Sequence, residues 1–170
     1  MIHKNFGKGK GLITGNKPND DILTPVEISK MIINKFELCG KVLDPFKGEG
    51  SFYNQYPNNV EKDWCEIKEG KDFFKYNEKV DWIISNPPYS ILDEVLEHSF
   101  KIADNIVYLL PLSKIVSSMG RIRKIKKYGG VPYIYIISAG KCGFPFGFPA
   151  CIVYFKKNYK EETKIEIEEV

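Results

Sequence analysis

Apolar positions along the chain fall into short runs separated by polar, glycine- and proline-bearing stretches. Thr24-Pro25-Val26-Glu27 predicts a helix start, with Thr24 as N-cap, Pro25 at the first helical position and Glu27 completing a capping box. Ile28, Met31, Ile32 and Phe36 follow at helical spacing, and Gly40 supplies the stop. Strands are predicted over 41–44, 63–67 and 80–85. Ser90, with Asp93 three residues on, predicts the cap of a helix whose apolar stripe is Leu92, Val95, Leu96 and Phe100. A buried-type strand over 105–112 leads to a helix opened by Ser113 and stopped by Gly129-Gly130. Two further strands, over 131–138 and 150–156, are rich in β-branched and aromatic residues.

Strands alternating with helices, then two adjacent strands, predict an α/β fold with an open, mostly parallel sheet and an antiparallel terminal strand. The expected organisation is a flexible arm over 1–20, one domain over 21–158 and an acidic, solvated tail over 159–170. The chain has 170 residues with 43% hydrophobic and 14% aromatic content, which fits one folded domain rather than a disordered segment. No apolar run is long enough to span a bilayer, and the N-terminus lacks the apolar segment of a signal peptide, so the expectation is a cytoplasmic protein without a membrane partner. Four scattered cysteines without C-x-x-C spacing read as reduced thiols, and with two histidines they predict no metal site. The net charge of +3 is mild, but Arg121, Arg123, Lys124, Lys126 and Lys127 crowd one segment without an acid among them.

Five stretches carry candidate chemistry. The run 44–52, D-P-F-K-G-E-G-S-F, places an acid at a strand end before Gly-x-Gly, where the backbone can approach a ligand and Asp44 can meet a cationic amine. A tight turn that needs glycine for geometry explains the same residues. Glu66 lies eighteen residues after Gly48, the spacing at which a carboxylate can grip ribose hydroxyls; a surface Glu is the plain alternative. Asp72-Phe73 could hold and stack an adenine, or be a cap and a core residue. Asn86-Pro87-Pro88-Tyr89 ends a buried strand in a corner that bears carbonyls and an aromatic ring. Its Asn86 oxygen and Pro87 carbonyl could accept from an exocyclic amine while Tyr89 stacks on the base; the alternative is a proline turn or a polyproline ligand. The basic cluster and the loop bearing Phe144, Phe146 and Phe148 could contact phosphates and bases, or be a solvated helix face and a packed loop.

In order, T-P, D-P-F-x-G-x-G-x-F, an acid after the second strand, D-F and N-P-P-Y resemble the amino-group DNA methyltransferases in their gamma arrangement, closely over 22–112. The resemblance implies a Rossmann-like fold and methyl transfer from S-adenosylmethionine (SAM) to adenine N6 or cytosine N4, leaving S-adenosylhomocysteine. It implies that Asp44 meets the SAM amino group and that Pro45, Phe46, Gly48 and Gly50 form its binding loop. By the same resemblance Thr24 and Pro25 lie near its carboxylate, Glu66 binds the ribose, and Asp72 and Phe73 hold the adenine. Asn86, Pro87, Pro88 and Tyr89 grip the target base. The short interval between Glu66 and Val80 leaves little room for a full helix and another strand, so a trimmed sheet is expected. No separate target-recognition domain is visible; the basic cluster, the Phe-rich loop, the arm, a homodimer or a partner subunit would supply recognition.

The leading expectation is a DNA adenine-N6 methyltransferase acting on a flipped or single-stranded base, with DNA favoured over RNA. An RNA base-amine methyltransferase is the nearest rival. A non-catalytic nucleic-acid-binding subunit and a methyltransferase acting on a protein glutamine amide rank below it.

Overall fold

Continuous apolar runs in an α/β chain call for strands covered on both faces, and the computed structural model has that arrangement over the residues it describes, 23–144, 147 and 149–168. Seven strands form one sheet: β1 (Lys41–Asp44), β2 (Glu61–Trp64), β3 (Val80–Ser85), β4 (Ala103–Pro111), β5 (Gly129–Ile137), β6 (Ala150–Lys157) and β7 (Lys164–Ile167). Their order is β2-β1-β3-β4-β6-β5-β7. Pairings are parallel from β2 through β4 and between β5 and β7, whereas β6 runs antiparallel to both neighbours. The mostly parallel sheet with one antiparallel strand is the predicted class. That strand lies inside the sheet, between β4 and β5.

Alternation along the strands builds two cores. Leu43, Ile83, Ile106, Tyr108 and Leu110 face one layer with α2 (Leu92–Ile102) and Ile125 of α4 (Met119–Tyr128). Val42, Trp82, Ile84, Val107 and Leu109 face the other with Ile28, Ile32 and Ile33 of α1 (Val26–Ile33). Because both faces are buried, polarity cannot alternate along β3 or β4, and the sequence shows runs instead.

Several boundaries differ from the sequence reading, for identifiable reasons. Thr24 does not cap α1: Pro25 occupies the N-cap position without a side-chain bond, because the Thr24 hydroxyl is used elsewhere. The helix ends at Ile33, and Phe36 packs beyond it against Trp82 and Tyr154. Ser90 does not cap α2; a 3-10 turn over Tyr89–Ile91 leads into it. The helix expected from Ser113 is two helices, α3 (Leu112–Val116) and α4, and Ser118 caps the second by accepting from the Arg121 amide. The second strand lies over Glu61–Trp64 because it pairs in register with β1, Asp44 opposite Trp64. Within the stretch expected to be a solvated tail, Lys164–Ile167 pairs with β5 as an edge strand. Between Glu66 and Val80 the described chain has two 3-10 turns, Ile67–Glu69 and Phe73–Lys75. The arm over 1–20 lies outside the described residues.

Ile83 is fully buried at the centre of β3. Ile83→Ala is expected to lower unfolding free energy by about 3 kcal/mol in urea denaturation, with an unchanged slope.

Candidate cofactor and base site

The chain leaves β1 toward β2 on one side of the sheet and returns to β3 on the other. That is a topological switch point, and ligands of open α/β sheets bind beyond the strand ends there. Here β1 ends at Asp44 and β3 at Ser85. A cavity of about 510 Å³ opens above them, lined by Thr24, Phe46 to Glu49, Ser51 and Phe52, Glu66 to Glu69, Asn86 and Pro88. The glycine bend and the proline corner therefore share one cavity.

Beneath this cavity Asp44 is fully buried. Its Oδ1 accepts from the Ser85 hydroxyl at 2.7 Å and from the Phe46 amide at 3.3 Å. Its Oδ2 is buried with no hydrogen-bond partner. Burial of the charged form raises its pKa to about 7, and the Ser85 hydroxyl and the Phe46 and Tyr53 amides oppose the rise. A buried carboxylate oxygen without a donor is costly. It fits a ligand that brings a cationic donor, such as the SAM ammonium group.

The bend itself needs glycine. Gly48 and Gly50 have φ of 51° and 89°. A Cβ at Gly50 would stand 2.6 Å from Asn54 Nδ2. The Gly50 amide donates to the Lys47 carbonyl at 2.7 Å, closing the turn. Pro45 is buried behind it, and Gly50 is buried rather than lining the cavity.

Glu66 forms the facing wall. Its carboxylate accepts from the Gly48 amide at 2.9 Å and the Lys68 amide at 3.0 Å, tying the end of β2 to the glycine bend. Lys47 adds an ion pair to Glu69 at 2.7 Å and stands 3.7 Å over the Trp64 ring. Ile67 lines the cavity and is 68% exposed. The sequence reading missed it; an apolar residue directly after the strand-end acid was the available signal.

Asp72 and Phe73 are not brought to the cavity. Asp72 accepts from the Phe74 amide as a cap. Phe73 is buried, in edge contact with Phe46 and His98 at 5.2 Å and 4.8 Å. The plainer reading, a cap and a core residue, describes both as the structure places them. Pro25 stands at the start of α1, beside the cavity rather than lining it.

At the proline corner, Asn86 Nδ2 donates to the Thr24 hydroxyl at 3.2 Å. Tyr89 donates its hydroxyl to Asn86 Oδ1 at 3.0 Å and to the Leu109 carbonyl at 3.2 Å. Pro87 is buried, and the Tyr89 ring packs half-buried on the core.

Of the basic cluster, Arg121 is structural. Its guanidinium clasps Asp93 of α2 at 3.0 Å and 2.8 Å, also donates to the Lys114 carbonyl, and holds the Asp93 carboxyl below its ordinary pKa. Lys124 pairs with Glu97. These two cations are paired within the chain, whereas Arg123, Lys126 and Lys127 are exposed. Phe144 is buried in the second core, while Phe146 and Phe148 lie outside the described residues.

No protein-family model matches the chain, and no curated protein sequence matches it. Solved structures do. A Listeria monocytogenes protein assigned to the class I SAM-dependent methyltransferases superposes with a TM-score of 0.67 at 13% identity, over 91% of this chain and 68% of the other. The chain has the Rossmann-like fold of SAM-dependent methyltransferases. The methyltransferase subunit of a type I restriction-modification system from Streptococcus thermophilus matches with a TM-score of 0.58 at 13% identity, over 85% of this chain. This chain spans 45% of that subunit's length. The 23S rRNA methyltransferase ErmE matches with a TM-score of 0.55 at 11% identity, over 81% of this chain and 70% of its own. Among the described residues, no helix is long and apolar enough to cross a membrane.

The raised Asp44 pKa has a stability consequence. An unfolded Asp titrates near 3.8 and the folded one near 7, so the native state binds the extra proton between those values. Stability therefore falls as pH rises through that window, by about 4 kcal/mol at most. Asp44→Asn, without cofactor, is expected to be more stable than the parent at pH 8 and close to it at pH 4. Urea denaturation at both pH values checks this; a difference that does not change with pH contradicts it.

Proposed function

We propose that the protein transfers a methyl group from SAM to the exocyclic N6 amine of adenine in DNA, presented flipped or single-stranded. The observation that carries this reading is the shared cavity: a buried carboxylate oxygen without a partner lies beneath it, and Asn86 stands on its wall.

SAM, when bound, supplies an activated methyl on a sulfonium centre. Asp44 Oδ2 would accept from the cofactor's ammonium group, and Glu66, held by two backbone amides, would hold the ribose hydroxyls. Phe46 and Ile67 offer apolar walls to the remainder. In place of Phe73, the exposed Ile67 side chain is the apolar surface nearest the ribose acid.

On the acceptor side, a base amine is a poor nucleophile because its lone pair is delocalised into the ring. The Asn86 side-chain oxygen, which receives the Tyr89 hydroxyl, is the acceptor this reading assigns to one N–H of the target. The Pro87 carbonyl is the second acceptor. Together they draw the two amine protons and aim the nitrogen lone pair at the methyl. Once methylated the nitrogen is cationic and acidic, and its proton would pass to water, so no strong base is required of the chain. Tyr89 presents its ring to the base. A paired base cannot reach this corner inside a duplex and must leave the stack. Exposed Arg123, Lys126 and Lys127 supply phosphate contacts. A partner subunit or second copy supplying target recognition fits the same reading, as does a cytoplasmic setting.

A second reading, a base amine in RNA, is favoured by the match to ErmE, which extends over more of that protein's length than the match to the restriction subunit does.

Incubation with methyl-labelled SAM and unmodified DNA or RNA in parallel, followed by nucleoside analysis, tests both. Label is expected in N6-methyladenine from DNA, and Asn86→Ala is expected to lower its rate by about 100-fold or more while SAM affinity changes little. Label confined to RNA would transfer the assignment to the second reading. Label on neither would overturn both.

A further inference from the structure

The two edges of the sheet are built differently. On β2, Glu61, Lys62 and Asp63 are charged, and the Trp64 amide donates to the carboxylate of its own neighbour Asp63 at 2.8 Å. Lys47 and Lys71 stand over the Trp64 ring at 3.7 Å and 3.8 Å. Such features keep an edge from pairing with another strand. At the other edge, β7 reads Lys164-Ile165-Glu166-Ile167, and its two isoleucines are 57% and 70% exposed.

Alternation fixes what this edge turns outward. Ile165 lies beside Ile134, and Ile167 beside Ile136. Ile134 is buried in the first core and Ile136 packs against it, so the exposed pair extends an apolar row to the rim of the sheet. The Glu168 amide donates to the Ile136 carbonyl. Backbone groups change direction at each residue of a strand, so those of Lys164 and Glu166 also face β5. The N–H and C=O of Ile165 and Ile167 then point away from the sheet.

The charges select the occupant. If β7 lies antiparallel to a second β7 about a two-fold axis at Ile165, Lys164 of each copy stands opposite Glu166 of the other. Ile165 meets Ile165 as a hydrogen-bonded pair, which its outward backbone groups allow. Lys164 and Glu166 form the closer, non-hydrogen-bonded pairs, where opposite charges interact best. Within one chain these two side chains already pair at 2.5 Å, so the four charges alternate in sign across the joint. An axis at Lys164 or Glu166 sets like charges opposite each other, and an axis between residues sets isoleucine opposite charge.

We propose that the β7 edge pairs antiparallel with β7 of a second copy of this chain, about a two-fold axis at Ile165, joining two seven-stranded sheets into one. Four residues per edge bury little area, so the dimer is weak and depends on concentration. β6 runs antiparallel to both β4 and β5, and β5 is parallel to β7, so β7 runs in the direction of β4. The pairing therefore places the two cofactor cavities at opposite ends of the joined sheet, and the dimer stands or falls independently of the reaction proposed above.

Sedimentation equilibrium from about 10 μM to about 1 mM protein tests it, on the parent, Ile165→Lys, Lys164→Glu, Glu166→Lys and an equimolar mixture of the last two. The parent's average mass is expected to rise toward twice that of the monomer. Each variant alone is expected to dimerise at least about 10-fold more weakly. The mixture is expected to regain the parent's behaviour, because K164E and E166K again bring unlike charges together at both pairs. Urea unfolding curves matching the parent's at low concentration show that the variants lose pairing and not fold. A parent that stays monomeric over the whole range would overturn the proposal. So would an I165K variant that dimerises as well as the parent, which would place the contact on another face, or a mixture no heavier than its two components.

Discussion

A carboxylate sealed into a methyltransferase-type sheet with only one of its oxygens bonded is the constraint around which the site is organised. Asp44 ends β1 at the switch point, with Ser85 beside it at the end of β3. Both side chains are fully buried. Desolvation of such a group opposes folding, and the two donors to Oδ1 offset only part of it. A group like this persists where a ligand completes it, because a cation delivered to Oδ2 converts an unfavourable burial into a charge-assisted hydrogen bond. The stability cost and the binding capacity are then the same interaction seen without and with its partner.

The rest of the site follows from that position. The glycine bend after Asp44 brings backbone close to the cavity because positive φ at Gly48 and Gly50 turns the chain sharply. Glu66 fastens the bend to the end of β2. The prolines after Ser85 stop β3 where its next amide must face the same cavity. Thr24 and Tyr89 then hold that amide from two sides. Parallel strand order places all four segments at one end of the sheet.

Much of this was legible in the sequence, because the strands that position the site are apolar runs with abrupt ends. β1 and β3 lie where the runs predict, since a strand buried on both faces admits no polar residue until it stops. Of the motif residues, Thr24, Phe46, Gly48, Glu66, Asn86 and Pro88 line one cavity, which lies beyond the strand ends of the sheet. What the sequence concealed was the choice a side chain makes among several partners. Thr24 and Ser90 have the form of helix caps, but a distant Asn takes the first and a 3-10 turn removes the second. Arg121 has the form of a phosphate contact, but Asp93 on the preceding helix lies within reach of both its arms. Phe73 is turned inward by Phe46 and His98, leaving Ile67 on the cavity wall. β7 was hidden because its charged residues alternate with isoleucines at an exposed edge, where polarity carries little information.

Titration calorimetry of SAM into the intact protein at pH 7, repeated in buffers of different ionisation enthalpy, tests the central claim most directly. Because burial raises the Asp44 pKa to about 7, binding should release protons, the affinity should weaken as pH falls, and Asp44→Asn should abolish both the release and most of the affinity. Binding of undiminished strength in Asp44→Asn, or no uptake of SAM by the parent protein, would contradict the account.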